Sequence, residues 1–341
     1  MFTFTELILA IAVPAVFAAV IAWLFRGLQL AGRLSLAAGF GIACGILALN
    51  FNSEWNAADA FPPDGDNSSA FTRAIGATAT KAIRPRESKN WLVVLLPIAG
   101  VGSVIGWTLL RPSKESSSEG RPLETATRRR SKAIGMAVLW IGLISASIVR
   151  MLWGSVYFLS QWSRETTILY VATIVFLLIL TAWMLSIQPS TGSTRNGWRF
   201  GLLTLVLGAT TVTMMMSGSL SLAIVGVCIT SAATASGFLS CWNRGTVALD
   251  GWFWSLSIGS LLVLGHFFAE LRLVNALLLL AAVAMSGFPF SQIKSRQSTF
   301  WVQVILCVAL AGAAVGLASA TLAQSEHEQS RDTYGYGGLA E

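Results

Sequence analysis

The chain has 341 residues, of which 54% are hydrophobic and only 11% charged. A soluble domain carries charge at about a quarter of its positions, so soluble, disordered, collagenous and disulfide-stapled classes are excluded. The formal net charge of +7 would suggest nucleic acid in a soluble protein, but here the basic residues gather between apolar runs, where they orient a membrane protein.

Uncharged runs of about 17 residues or more are long enough to cross a bilayer. They predict spans at 7–25, 34–50, 91–110, 133–160, 166–187, 200–216, 219–241, 251–269, 273–290 and 299–322. The expected fold class is therefore all-α: a polytopic integral membrane helix bundle of about ten transmembrane helices over 1–322, with no soluble domain. Residues Met1 to Glu6 hold no basic residue ahead of the first run, unlike a cleaved signal peptide, so that run is read as a retained helix. The stretch from Phe200 to Trp242 has no charge over 43 residues. As one helix it would be about 64 Å long, so it is divided into two spans near Ser217 to Ser219.

Two polar segments between the spans and one after the last stand out. The 52–90 loop opens with Glu54, Asp59, Pro62, Pro63, Asp64, Gly65 and Asp66, and then changes character. Over 70–84, Phe71, Ala74, Ile75, Ala79, Ala82 and Ile83 recur at helical spacing with Arg73, Lys81 and Arg84 off the stripe. That segment reads either as an interfacial helix or as a loosely ordered loop. The 111–132 loop is basic, and 323–341 reads as a flexible polar tail.

Charge parity supplies the orientation. Loops after odd-numbered spans hold 14 basic residues, including Arg128, Arg129, Arg130 and Lys132, whereas the opposite side holds eight, five of them in the 52–90 loop beside five acids. The richer side is cytoplasmic by the positive-inside rule, which puts both termini on the non-cytoplasmic side of the cell (plasma or inner) membrane. Trp23, Trp91, Trp107, Trp162, Trp183, Trp198, Trp242, Trp252, Trp254 and Trp301 fall near span ends, as expected of an aromatic belt. Val20-Ile21-Ala22-Trp23 and Val104-Ile105-Gly106-Trp107, each preceded by a proline, read either as traces of a duplicated hairpin or as chance in an apolar alphabet.

The chemistry is sparse. The chain has two histidines, His266 and His327, four cysteines, Cys44, Cys228, Cys241 and Cys307, all in or at the ends of apolar runs, and no Cys-x-x-Cys. No disulfide, metal centre, haem or other cofactor is expected, and the absence of a phosphate-binding Gly-x-x-x-x-Gly-Lys motif argues against nucleotide hydrolysis. Asp64 and Asp66 are the candidate metal residues, two carboxylates on a turn. Ser69 and Ile75 stand where a calcium loop needs Gly and a bidentate Glu, so a solvated acidic turn is the competing reading. Ser236 and His266, on consecutive antiparallel spans, are separated axially by about 10 Å, which excludes an activated serine. His266 and Glu270, four apart on one helical face near a span end, are the candidate catalytic or proton-sharing pair, against the reading that they punctuate a tight hairpin. Arg150 is read as snorkelling to the headgroups. Gly41 with Gly45, Gly102 with Gly106, and Gly312 with Gly316 have the Gly-x-x-x-Gly spacing of helix-packing faces. Thr210, Thr211 and Thr213 either line a neutral pathway or satisfy themselves on their own helix.

An almost charge-free interior with many packing glycines points to a non-enzymatic membrane-embedded subunit or scaffold. The alternatives are a secondary carrier for a neutral or lipid-like solute and an enzyme acting on a lipid-linked substrate at the outer surface. The expected partners are the bilayer and other membrane subunits, not nucleic acid; the oligomeric state is left open.

Overall fold

The computed structural model describes residues 4–24, 95, 98–102, 122–153, 155, 161–186, 194–242, 251–288 and 296–335. Among them the chain forms eight long helices: α1 (Phe4–Leu24), α2 (Pro122–Leu152), α3 (Arg164–Ser186), α4 (Thr194–Met216), α5 (Leu220–Trp242), α6 (Gly251–Phe268), α7 (Leu273–Gly287) and α8 (Arg296–Gly335). Leu95 and residues 98–102, within the predicted third span, are also helical. The described chain is all-helical, and five of its helices, α2, α3, α4, α6 and α8, contain segments long and apolar enough to cross a membrane. The predicted span at 34–50, the 52–90 loop with its 70–84 segment, and Gly41, Gly45, Asp64, Asp66 and Gly106 lie outside the described residues.

Local chemistry explains most of the helix ends. The Ser163 hydroxyl accepts the Thr166 N–H at 3.2 Å, so Ser163 caps the start of α3. Gly218, at φ 83°, closes α4: Ser219 N–H bonds the Met214 carbonyl and Gly218 N–H bonds that of Met215, at 3.3 and 3.2 Å. This left-handed glycine ends one helix and turns the chain directly into α5.

Four boundaries differ from the sequence expectation. Helix α2 ends at Leu152 instead of continuing to 160, just before Gly154, a poor helix former. It also begins at Pro122, so the second half of the predicted 111–132 loop is helical. At 31 residues, α2 is about 46 Å long, and its basic first third extends the apolar segment 134–152 without a break. Helix α7 stops at Gly287, short of the expected 290, because Phe288 precedes Pro289 and takes the extended conformation (ψ 127°) that proline imposes on its predecessor. Helix α8 runs on to Gly335 through the segment read as a flexible tail, in keeping with its Ala, Gln and Glu content.

Helix α6 is the centre of the bundle. Fifteen of its 18 residues are buried, and it packs against α3, α7, α2, α4 and α5. A helix apolar all round with little exposed surface must sit inside others. By contrast, α3 and α8 are strongly apolar yet mostly uncovered, with Leu169, Phe176, Trp183, Trp301 and Ile305 more than half exposed. Outward hydrocarbon of this extent suits a lipid surround rather than water. Helix α1 packs on α5, and α8 on α7 and α4.

The aromatic belt needs one correction. Trp254 is fully buried, packed edge-on to Phe200 (centroids 5.4 Å apart) and to Phe253. Its place on the central helix overrides the headgroup preference that its sequence position suggested. Trp23, Trp183 and Trp301 are exposed.

Candidate functional site

The α6–α7 connection places His266 in the last turn of α6 and Glu270 just beyond the helix end. Helix α6 ends at Phe268. Glu270 takes φ 54°, which turns the chain so that Leu271 N–H reaches the Gly265 carbonyl at 3.0 Å. Glu270 therefore does not share a helical face with His266: the helix ends two residues earlier, and Glu270 is itself the left-handed residue of the turn. His266 instead bonds across the turn, its Nδ1 2.8 Å from the Leu271 carbonyl oxygen. A carbonyl only accepts, so Nδ1 donates, and in the neutral tautomer that this bond selects Nε2 is the acceptor. Glu270 and Arg272 are exposed on the turn itself.

His266 also stands at the rim of a cleft of about 280 Å³ between α3, α6 and α7. The walls are almost wholly hydrocarbon, with Ile174, Leu177, Leu262, Val263, Ala276 and Leu277 among them. Tyr170, Thr173 and His266 are the polar side chains of the lining, and the Thr173 hydroxyl is already donated to the Leu169 carbonyl at 2.8 Å. Aromatic rings collar the mouth: Trp162 stacks on Tyr170 at 4.7 Å and meets Phe267 edge-on at 5.5 Å. At the floor, Gly259 lies so close to Leu178 that a Cβ would collide with its side chain, and the Ser255 hydroxyl donates to the Leu178 carbonyl at 2.6 Å. A bare glycine and one interhelical hydrogen bond thus close the deep end.

A second, more open groove of about 600 Å³ lies between α1, α4 and α5. Thr211, Thr230, Ser231 and Thr234 line it, but each hydroxyl donates to a carbonyl of its own helix, at 2.7 to 2.9 Å. Thr210 and Thr213 do the same, to Val206 and Ala209. Of the two readings of the threonine cluster, the self-satisfied one describes these hydrogen bonds.

Several buried polar groups went unnoticed in the sequence. Gln303 of α8 is fully buried, and its Nε2 donates to the Phe288 carbonyl at 2.5 Å, securing the chain where α7 ends. Ser260 Oγ, Asn275 Oδ1 and Trp254 Nε1 are buried with no hydrogen-bond partner among the described residues. Arg199 is also buried, although it sits in a predicted loop; its guanidinium lies 5.7 Å from the centroid of the Trp198 ring. The signal available in the sequence was the placement of Arg199 one residue before an uncharged run, which marks a span boundary but not its burial.

The packing glycines divide sharply. Gly102 packs against Trp140, whose ring would lie 3.7 Å from an added Cβ. Gly312 and Gly316 are exposed, and an added Cβ at either meets nothing within 4 Å, so that face of α8 packs on none of the described helices. The tight approaches are made by single glycines instead: Gly226 against Thr211, Gly237 against Phe200, Gly265 against Met214, and Gly287 against the backbone of α3.

Of the remaining candidates, Ser236 is buried on α5, and Arg150 is exposed in the last turn of α2. Cys228 and Cys307 are buried free thiols, the latter donating to the Ala282 carbonyl at 3.4 Å. Among the described residues, no three His, Cys, Asp or Glu gather where they could hold a metal ion. No protein-family model, no curated protein and no solved structure matches this chain.

Proposed function

We propose that this chain is a polytopic protein of about ten spans in the cell membrane, acting without catalysis as a membrane-embedded subunit or scaffold. The observation that carries the reading is how the interior hydroxyls are used. Thr181, Thr210, Thr213 and Ser257 each donate to the carbonyl four residues back on their own helix, at about 2.8 Å, around a central helix that is nearly all buried. Hydroxyls tied to backbone stabilise a fixed packing of helices and leave little polar surface for a solute. The face of α8 at Gly312 and Gly316, uncovered among the described residues, adds a surface where another helix could approach closely.

The test is capture from native membranes in a mild detergent. A second membrane polypeptide recovered in fixed stoichiometry supports the reading. Solute uptake by vesicles containing the purified chain alone would overturn it in favour of a carrier for a neutral or lipid-like solute, the second reading, which the apolar cleft between α3, α6 and α7 favours.

A further inference from the structure

We propose that the cleft between α3, α6 and α7 binds one hydrocarbon chain of a membrane lipid whose head presents a hydroxyl, with His266 accepting that hydroxyl. The inference goes beyond the scaffold reading and holds for a scaffold or a carrier.

The shape comes first. The lining descends in register on all three helices, from Tyr170, His266 and Leu273 at the turn to Leu178, Gly259 and Leu280 at the floor. Seven or eight residues of helix make the cleft about 11 Å deep. Its volume of about 280 Å³ is close to the lower end of the range for small-molecule pockets, roughly 300 Å³. The occupant must be apolar, because a stable water needs two to four polar partners and these walls are hydrocarbon. The bilayer supplies such an occupant directly: Leu169 and Tyr170 on one edge and Leu273, Val274 and Leu277 on the other are exposed, so the hollow is continuous with the outward apolar surface of α3 and α7.

The head group follows from the two polar side chains left at the rim once the Thr173 hydroxyl is committed, Tyr170 and His266. With His266 Nδ1–H committed to the Leu271 carbonyl, the ring in its neutral form has Nε2 as an acceptor. A head hydroxyl can donate to Nε2 and accept from the Tyr170 hydroxyl, whereas a phosphocholine head can accept from Tyr170 but has no donor for His266. The exposed Glu270 and Arg272 mark the turn as the polar end of the cleft, so a chain entering there keeps its head at the level of the turn.

The full chain, purified and reconstituted in phosphatidylcholine vesicles, is irradiated with a diacylglycerol bearing a diazirine in its acyl chain, and the labelled residues are mapped by mass spectrometry. Labelling is expected at Thr173, Ala276 and Leu277, and unlabelled diacylglycerol should compete about three- to tenfold better than phosphatidylcholine, the effect of one hydrogen bond. Thr173→Trp and Leu277→Trp, both at exposed positions on the cleft edge, should each reduce labelling at least about tenfold. Phe176→Trp, exposed on α3 outside the lining, should not, which separates blockage from a general effect of tryptophan. His266→Phe should retain the label but lose the preference for diacylglycerol. Labelling spread evenly over α3, or unchanged in both edge variants, would overturn the site. Equal competition by phosphatidylcholine, or stronger competition by phosphatidic acid, would overturn the hydroxyl head, the latter in favour of an anion at Arg272.

Discussion

His266 and Glu270 owe their positions to one turn, and they shape it differently. Glu270 adopts a left-handed conformation at φ 54° that costs a residue with a Cβ about 1–2 kcal/mol. Replacement by glycine relieves that strain while adding freedom to the unfolded chain, so Glu270→Gly is expected to stabilise by up to about 1 kcal/mol and Glu270→Ile to destabilise. His266→Ala removes the bond to Leu271 and is expected to cost about 0.5–1.5 kcal/mol. Thermal unfolding in detergent measures all three. If His266→Ala were neutral, the ring would not be holding the turn. Both residues were visible in the sequence as rare ionisable groups at a span end. The place of Glu270 outside the helix was not, because helical spacing assumes a helix that continues, and this one ends two residues before Glu270.

At the scale of helices, close approach is set by what the neighbour presents. Gly287 lies against α3 so that a Cβ would be 2.7 Å from Leu185 Cα and 2.8 Å from the Met184 carbonyl. Backbone cannot swing aside as a side chain can, so Gly287→Ala is expected to cost about 1–3 kcal/mol. Gly102→Leu should likewise impair assembly by pushing the Trp140 ring away, while Gly312→Leu should leave the stability of the isolated chain unchanged. Detergent unfolding and size-exclusion profiles distinguish them; equal tolerance at Gly102 and Gly312 would refute the packing assignment. The Gly-x-x-x-Gly spacing found Gly102 and missed Gly259, Gly265 and Gly287. That pattern identifies a smooth face on one helix, but a collision depends on two helices, and only one of them is written at the glycine.

For the whole molecule, the proposed orientation rests on charge parity and is tested by accessibility. Cysteines introduced at Ser117 and Ser193 are expected to be protected from an impermeant thiol reagent in intact cells, and those at Ser68 and Ser330 to react. Reaction at Ser117 would reverse the orientation or change the span count. Native Cys228 and Cys307 are buried, and Cys44 and Cys241 are replaced by serine beforehand to keep the background low.

The helical, apolar character of this protein follows from its residues alone, because a backbone in hydrocarbon must satisfy its own hydrogen bonds and a long uncharged run can do so only as a helix. The division of the 43-residue stretch belongs to the same level: its length forbids a single span, and Gly218 is the residue able to take φ 83°. Composition could not say which apolar helix lies at the centre. Helices α6 and α3 both read as spans, yet one is almost wholly buried and the other faces outward. In lipid, an apolar side chain is about as well placed outside as inside, so the choice falls to shape and to the few polar groups that need a partner. The same contest of shapes formed the cleft, through Gly259 beneath Leu178 and a turn that brings His266 to its rim.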